Sequence, residues 1–215
     1  LLVVTDPGLT AGGFTLRSLN DIVAKDKVSL TSGGLLAGLG AFDTIETAND
    51  LSRVQVGSNA SLRTVGEMNI SARGQGDVAA QVNAEAYGAG TYIGANAVVD
   101  IHPRNEIAVA GGATLHADRD LNLSTGTDVN FVRDSYRIDT TSDTFAGSAI
   151  PLDNVNSSSL LFQENTIAVA AGALLETSGT ARLHADRMGF GDLTGTAKAV
   201  NWVSSLADAL NGAAA

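Results

Sequence analysis

The chain has no cysteine, few aromatic residues and fewer basic than acidic residues. The absence of cysteine from all 215 residues excludes disulfide bonds, a thiol nucleophile and a thiolate metal site. Aromatic residues make up 5% of the chain and hydrophobic residues 44%, so the apolar content consists mainly of small and aliphatic side chains. Together with 24 glycines, this composition suits thin, evenly spaced strand layers better than a bulky globular core.

Positive charge is also scarce. The chain contains 13 Lys and Arg against 23 Asp and Glu, which gives a formal net charge of −10. This balance lacks the clustered basic residues with which proteins bind nucleic acids or anionic membranes. No stretch approaches the roughly 18 consecutive apolar residues of a membrane-spanning segment. We therefore expect neither a nucleic-acid partner nor insertion into a membrane.

What the chain does contain is a phrase that recurs four times, with apolar residues at every second position. The second apolar residue of each copy is, in order, Leu30, Ile70, Leu123 and Leu183. The residue numbers of successive copies therefore differ by 40, 53 and 60. A companion phrase precedes the last three copies, at residues 54–62, 107–115 and 167–175. Repeats on this scale indicate a solenoid or an array.

Alternation with a period of two residues is typical of strands that bury one face. Within residues 107–123, three such strands are separated by Gly111-Gly112 and by 118–120, where glycine and aspartate favour sharp turns. The sequence therefore predicts an all-β fold, a parallel β-helix with outward loop insertions, over residues 1–197. The side chains predicted to fill its interior are Val56, Leu62, Ile70, Val109, Leu115, Leu123, Val169, Leu175 and Leu183.

The segment 127–164 is the most polar and least repetitive part of the chain. We predict that it is an insertion that forms a protruding loop or short hairpin. Loops on a rigid scaffold are where specific binding usually occurs. The candidate partner-binding residues of this loop are Arg133, Tyr136, Arg137, Asp139 and Asp143.

The pattern changes again near the end of the chain. From Lys198 onward, apolar residues such as Val203 and Leu210 fall at helical spacing. This predicts a helix within 198–215, either a cap over the β-helix or the start of a further insertion. The chain begins at Leu1 without a methionine and ends at Ala215 without a closing element. We therefore interpret it as a segment that continues into a longer polypeptide.

Three short units carry a resemblance to a known family: Ile-Gly-x-x-Ala-x-Val, Gly-Gly-Ala-x-Leu-x-Ala and Asp-Leu-x-Leu-Ser, all within residues 72–126. With them the chain resembles the repeat region of filamentous-haemagglutinin-like adhesins, large exoproteins of Gram-negative bacteria. The resemblance covers 50–126 well and 165–187 fairly. It implies a right-handed parallel β-helix, an extracellular or cell-surface location, and export by a two-partner or autotransporter-type route.

The sequence contains no motif that predicts catalysis, metal binding or a cofactor. His116 and His184 both lie in a Leu-His-Ala-Asp tetrapeptide, but Leu115 aligns with Leu175, and Leu183 with Leu123. The two histidines therefore belong to different strands, and we expect both on the solvated surface. No zinc-ligand spacing, Gly-x-Ser-x-Gly unit or phosphate-binding loop is present.

Two functions agree with this pattern. The preferred one is a structural or adhesive segment, not an enzyme, that presents loops to a protein or glycan on a host cell or another bacterium. The alternative is a carbohydrate-active β-helix enzyme, such as a polysaccharide lyase or a tailspike-like hydrolase. An enzyme of that kind needs facing carboxylates, for which Asp139 and Asp143 are the residues to test.

Overall fold

A computed structural model describes residues 2–4, 8–186 and 190–201, and within those ranges every regular element is a β-strand. In that part of the chain no helix is long and apolar enough to cross a membrane. The strands are β1 (Leu2–Val4), β2 (Leu9–Ala11), β3 (Phe14–Gly33), β4 (Leu36–Val56), β5 (Ser61–Thr64), β6 (Met68–Val109), β7 (Thr114–Ala117), β8 (Leu121–Thr125), β9 (Ser135–Leu161), β10 (Glu164–Val169), β11 (Leu174–Thr177), β12 (Ala181–Ala185) and β13 (Phe190–Asn201).

The strands form two parallel sheets. In the larger sheet β1, β4, β6, β8 and β12 lie side by side in that order, while β3, β9 and β10 also pair with β6, and β13 pairs with β9. The smaller sheet has the order β11-β7-β5-β2. Parallel neighbours need a long crossover connection, so each strand pairs with a strand that is distant from it in the sequence.

The separation between paired residues is nearly constant along the chain. Ile70 pairs with Leu123, and Leu123 with Leu183, at sequence separations of 53 and 60 respectively. Leu62 and Leu115 also pair at a separation of 53. The predicted alignment of the later copies of the recurring phrase is therefore confirmed.

The long strands turn back on themselves. β6 and β9 contain 42 and 27 residues, and the pairing between them skips Ala149. On either side of that position the two halves of β9 face each other. The hydroxyl oxygens of Thr140 and Ser159 are 2.9 Å apart, and the Ser142 hydroxyl donates to the carbonyl of Asn156 at 2.6 Å.

Each part of the fold has its own core. The short-strand core is aliphatic and includes Val54, Val56, Leu62, Met68, Ile70, Ile107, Val109, Leu115, Leu121 and Leu123. The long-strand core contains many small residues, and its members include Val78, Ala80, Val82, Ala84, Ala86, Ile93, Ala95, Ala97, Val99, Tyr136 and Ile138. Small side chains let the facing halves of the long strands lie close together.

The 40-residue step predicted between the first two copies of the phrase is wrong. Leu30 pairs with Ala84 in the long-strand region, whereas the partner of Ile70 in β3 is Leu16. The sequence separation between these paired strands is 54, close to that of the later copies. The phrase at 27–33 resembles the other copies because it alternates, and it does not occupy their position in the fold.

The protruding loop predicted for residues 127–164 is also wrong over most of its length. Residues 135–161 form β9, which pairs in parallel with β6 and continues the larger sheet. The pairing changes from Ala72–Thr125 to Gln75–Ser135, so only seven residues are inserted between these two levels. We call the segment 126–134 the insert loop.

Two expectations for the end of the chain need correction. Lys198 belongs to strand β13, so a helix that starts there is wrong up to Asn201, and residues 202–215 lie outside the described part. Of the last three predicted interior residues, Val169 and Leu183 are exposed and Leu175 is half-buried. Their strands β10, β11 and β12 have a partner on one side only among the described residues.

Candidate functional site

The insert loop is a short hairpin with a three-residue turn. Thr127 and Arg133 form an antiparallel bridge, and the Asp128 amide donates to the Val132 carbonyl at 3.0 Å. The Phe131 amide donates to the Asp128 carbonyl at 3.0 Å. Phe131 itself has a φ of 61°, at a turn position where glycine is the usual residue because it tolerates left-handed backbone.

The carboxylate of Asp128 holds this turn in place. It accepts hydrogen bonds from the amides of Asn130 at 2.9 Å and Val132 at 3.0 Å. It also forms ion pairs with Arg17 at 3.5 Å and Arg73 at 3.8 Å. Asp128 and Arg73 are both buried. These contacts hold the insert loop in a fixed position against strands β3 and β6.

A second buried carboxylate fixes the other end of the loop. Asp134 accepts hydrogen bonds from the Gly74 amide at 2.9 Å, from Asn105 at 2.5 Å and from Gln163. Burial raises the pKa of Asp134 to about 6, against the hydrogen bonds from Gly74 and Asn105, which favour the ionised form. The group is a structural anchor and is closed to solvent.

Between the insert loop and the sheet lies a groove of about 610 Å³, which we call the insert groove. Its floor carries a ladder of outward side chains from three adjacent strands, Asn69, Asn122 and Arg182. Asn122 donates to the side-chain oxygen of Asn69 at 2.9 Å, and Arg182 donates to that of Asn122 at 3.4 Å. The residues that line the groove also include Glu67, Asp120, Ser124, Thr127, Asp128, Val129, Phe131 and His184.

The wall of the insert groove is apolar. Phe131 is 86% exposed although it lies on a hydrogen-bonded turn, and Val129 beside it is partly exposed.

The rest of the lining is polar. Asp120 accepts hydrogen bonds from the Thr180 amide at 2.9 Å and from Arg182 at 3.2 Å. The bond from Thr180, supported by Arg182, holds the pKa of Asp120 below its ordinary value. The groove therefore offers amides, charged groups and one aromatic face to the same ligand.

Comparison with known proteins identifies no relative. No protein-family model, no curated protein and no solved structure matches the chain. The function has to be inferred from the residues themselves.

The five residues predicted to bind a partner are not brought together. Arg133 lies on the insert loop and forms an ion pair with Asp186 at 3.0 Å. Tyr136 is buried in the long-strand core, where burial raises its pKa. The remaining three, Arg137, Asp139 and Asp143, follow on β9 and are exposed or half-buried. None of the five lines the insert groove.

Asp139 and Asp143 do not form a pair of catalytic carboxylates. They are four residues apart on one strand, which separates them by about 13 Å at the usual rise of an extended chain. Glycosidases hold their two carboxyl groups within about 10 Å of each other. In addition, Asp139 accepts a hydrogen bond from Thr194 at 2.9 Å. The geometry of these two residues gives the enzymatic alternative no support.

His116 and His184 lie on different strands, β7 and β12, as the alignment of their leucines predicts. Both ring nitrogens of His116 are engaged, Nδ1 with Glu176 at 3.1 Å and Nε2 with Asp118 at 2.8 Å. Glu176 and then Asp118 raise the pKa of His116. Within the described ranges no group of three His, Asp or Glu residues is arranged to hold a metal ion.

Sequence reasoning missed the residues that build the insert groove. Asn69 and Asn122 occupy the same outward position in two copies of the recurring phrase, Met-Asn-Ile and Leu-Asn-Leu. An identical polar residue at an outward repeat position was a usable signal for a side-chain ladder. Phe131 carried no such signal, because its exposure depends on the turn that Asp128 closes.

Proposed function

We propose that the chain is a segment of a right-handed parallel β-helix whose successive turns are offset by sequence separations of 53 to 60. The proposal is supported by the parallel pairing of Ile70, Leu123 and Leu183 and by the stacked short-strand core. A right-handed crossover is the strongly preferred connection between parallel strands. Each turn contains three short strand segments, such as 107–109, β7 and β8, followed by a long segment such as β9.

The function we propose for this segment is adhesion at a bacterial cell surface or outside the cell. A stack of parallel strands is a rigid support that presents loops at fixed positions. The observation that carries the proposal is the seven-residue insertion, which two buried carboxylates, Asp128 and Asp134, hold rigidly above an open groove. The resemblance to filamentous-haemagglutinin-like adhesins supports the same conclusion. The partner would be a protein or a glycan on a host or bacterial surface.

Deletion of residues 127–133 tests this proposal, because it joins Gly126 to Asp134 and restores the shorter separation between paired strands. We expect the variant to keep its strand content and thermal stability, since Arg73 becomes open to solvent when Asp128 is removed and is not left buried without a partner. Beads coated with the unchanged chain should adhere to epithelial or bacterial cells. Beads coated with the variant should not.

Circular dichroism and a thermal melt of the deletion variant serve as the folding control. If the variant folds and its beads adhere as well as those of the unchanged chain, the insert loop is not the adhesive element and the proposal is wrong. If neither protein adheres to any of the epithelial or bacterial cells tested, the adhesive function is wrong as well.

A further inference from the structure

We propose that the insert groove is a binding site for a neutral oligosaccharide that lies across the strands, with Phe131 against one sugar ring. This inference rests on the adhesive function proposed above and specifies the ligand. It is carried by the hydrogen-bonding floor, the exposed aromatic wall, the charge of the lining residues and the spacing of the strands.

The floor of the groove supplies the hydrogen-bonding groups that sugar hydroxyls need. A primary amide has two N–H donors and a carbonyl acceptor. Among the described residues, the ladder uses one N–H of Asn122 and neither N–H of Asn69. Ser124 also lines the groove and adds a hydroxyl. A sugar hydroxyl both donates and accepts, so it can form hydrogen bonds with the unused N–H groups and with the Ser124 hydroxyl.

Phe131 supplies the apolar contact. A pyranose ring has an apolar face formed by its C–H groups, and an aromatic ring stacks against such a face. Phe131 is one of the most exposed large hydrophobic residues in the described part and adopts left-handed backbone, an arrangement that costs energy for a residue other than glycine. Strained residues of this kind concentrate at ligand sites. The strain is accounted for if the side chain is held ready for a ligand.

The charge of the lining selects against polyanions. Three carboxylates, Glu67, Asp120 and Asp128, line the groove together with one guanidinium and one imidazole. The negative charge of Asp128 is already balanced by ion pairs with the buried Arg73 and the partly exposed Arg17. Nucleic acids, phosphorylated ligands and sulfated glycans would therefore meet like charge in a site with little free positive charge. A neutral glycan meets no such penalty.

The spacing of the ladder suggests how the ligand lies. Asn69, Asn122 and Arg182 stand on adjacent parallel strands, which are about 4.8 Å apart. This distance is close to the length of one pyranose unit in an extended glycan. Each strand therefore presents one polar side chain to each successive sugar, and the volume of about 610 Å³ is of the size that small ligands occupy.

Calorimetric titration of the full chain with neutral oligosaccharides tests the inference. The probes are glucose and N-acetylglucosamine oligomers of increasing length, with oligogalacturonate and heparin fragments as anionic probes and a random peptide library as a further class. We expect one neutral series to bind, with affinity that rises from monosaccharide to trisaccharide and then levels off. The anionic probes should not bind.

Two variants place the ligand in the groove. Phe131→Gly removes the aromatic ring and relieves the left-handed backbone, so we expect affinity to fall about tenfold or more while the melting temperature is unchanged or higher. Asn122→Ala interrupts the ladder and should weaken binding about three- to tenfold. Phe42→Ala is the matched control, because Phe42 is also an exposed phenylalanine but lies outside the groove.

The outcomes separate this inference from the proposed function. If no neutral oligosaccharide binds, or if Phe131→Gly leaves affinity unchanged, the saccharide site is wrong, and adhesion that is still lost on deletion of 127–133 leaves the adhesive function standing. Preferential binding of a peptide or an anionic glycan would also overturn the saccharide assignment. If the deletion does not affect adhesion, the proposed function fails even where a sugar binds.

Discussion

Replacement of Leu123 by aspartate is expected to unfold the short-strand core. Leu123 is fully buried and is stacked between Ile70 and Leu183 in adjacent strands. A carboxylate at this position has no positive partner in the aliphatic core, and an unpaired buried charge is among the most destabilising of changes. We expect a loss of about 4 kcal/mol or more in the free energy of unfolding. Urea denaturation followed by far-UV circular dichroism measures it.

Leu183→Asp is the matched control for this prediction. Leu183 has the same position in the repeat, but it is 51% exposed and its strand has one partner among the described residues. A carboxylate there stays hydrated, and we expect a loss of about 1 kcal/mol or less. Equal effects of the two substitutions would show that Leu123 and Leu183 do not differ in burial, and the assignment of the short-strand core would be wrong.

The second large effect is expected at Gly74. A Cβ atom added at Gly74 would overlap the hydroxyl group of Tyr136, which lies in the long-strand core. The tyrosine cannot withdraw, because it is buried and Gly76, its partner in the next strand, is also in contact with its ring. Gly74→Ala should therefore destabilise the protein by about 2 kcal/mol. The same denaturation measurement applies.

Tyr136→Phe should rescue the Gly74→Ala variant, since it removes the oxygen with which the new methyl group collides. The Tyr136 hydroxyl also lacks a hydrogen-bond partner among the described residues, so Tyr136→Phe alone should not destabilise the chain. Gly94→Ala, in the same strand β6, is the control because a Cβ there meets no atom within 4 Å. If the double variant is no more stable than Gly74→Ala alone, Tyr136 does not lie against Gly74.

The short strands could be predicted well from sequence. Their aliphatic residues alternate strictly, and glycine or aspartate marks the turns between them. The copies at Leu123 and Leu183 each follow a companion phrase with a glycine at the same place, Gly112 and Gly172, so their alignment is unambiguous. This is why the sequence alone predicts the spacing at which these strands pair.

The long strands could not be predicted in the same way. Alternation has a period of only two residues, so the phrase at Leu30 fits several registers equally well. In β9 the buried positions carry Thr140, Ser142 and Thr144, which hide the apolar pattern that identifies a strand. Hydrogen bonds between facing halves, from Ser142 to the Asn156 carbonyl and between the hydroxyl groups of Thr140 and Ser159, offset the burial of two of these three hydroxyl groups.

The insert groove was beyond sequence reasoning for a related reason. The polar character of residues 127–164 was evident, but it does not distinguish the seven inserted residues from the polar strand that follows. Only the pairing of Gln75 with Ser135 sets the end of the insertion. The position of Phe131 in the same groove as Asn122 then depends on contacts between residues far apart in the chain, which a local pattern does not contain.

The most direct test is the register between β3 and β6, because Arg17 on β3 reaches Asp128 of the insert loop only in the register of the structure. The native chain has no cysteine, so pairs can be introduced freely. Lys27 pairs with Gln81 in the structure, whereas a repeat that aligned Leu30 with Ile70 would place it beside Glu67. We expect Lys27→Cys with Gln81→Cys to cross-link under mild oxidation or with a short bismaleimide, and Lys27→Cys with Glu67→Cys not to cross-link. Cross-linking of the second pair and not of the first would contradict this register.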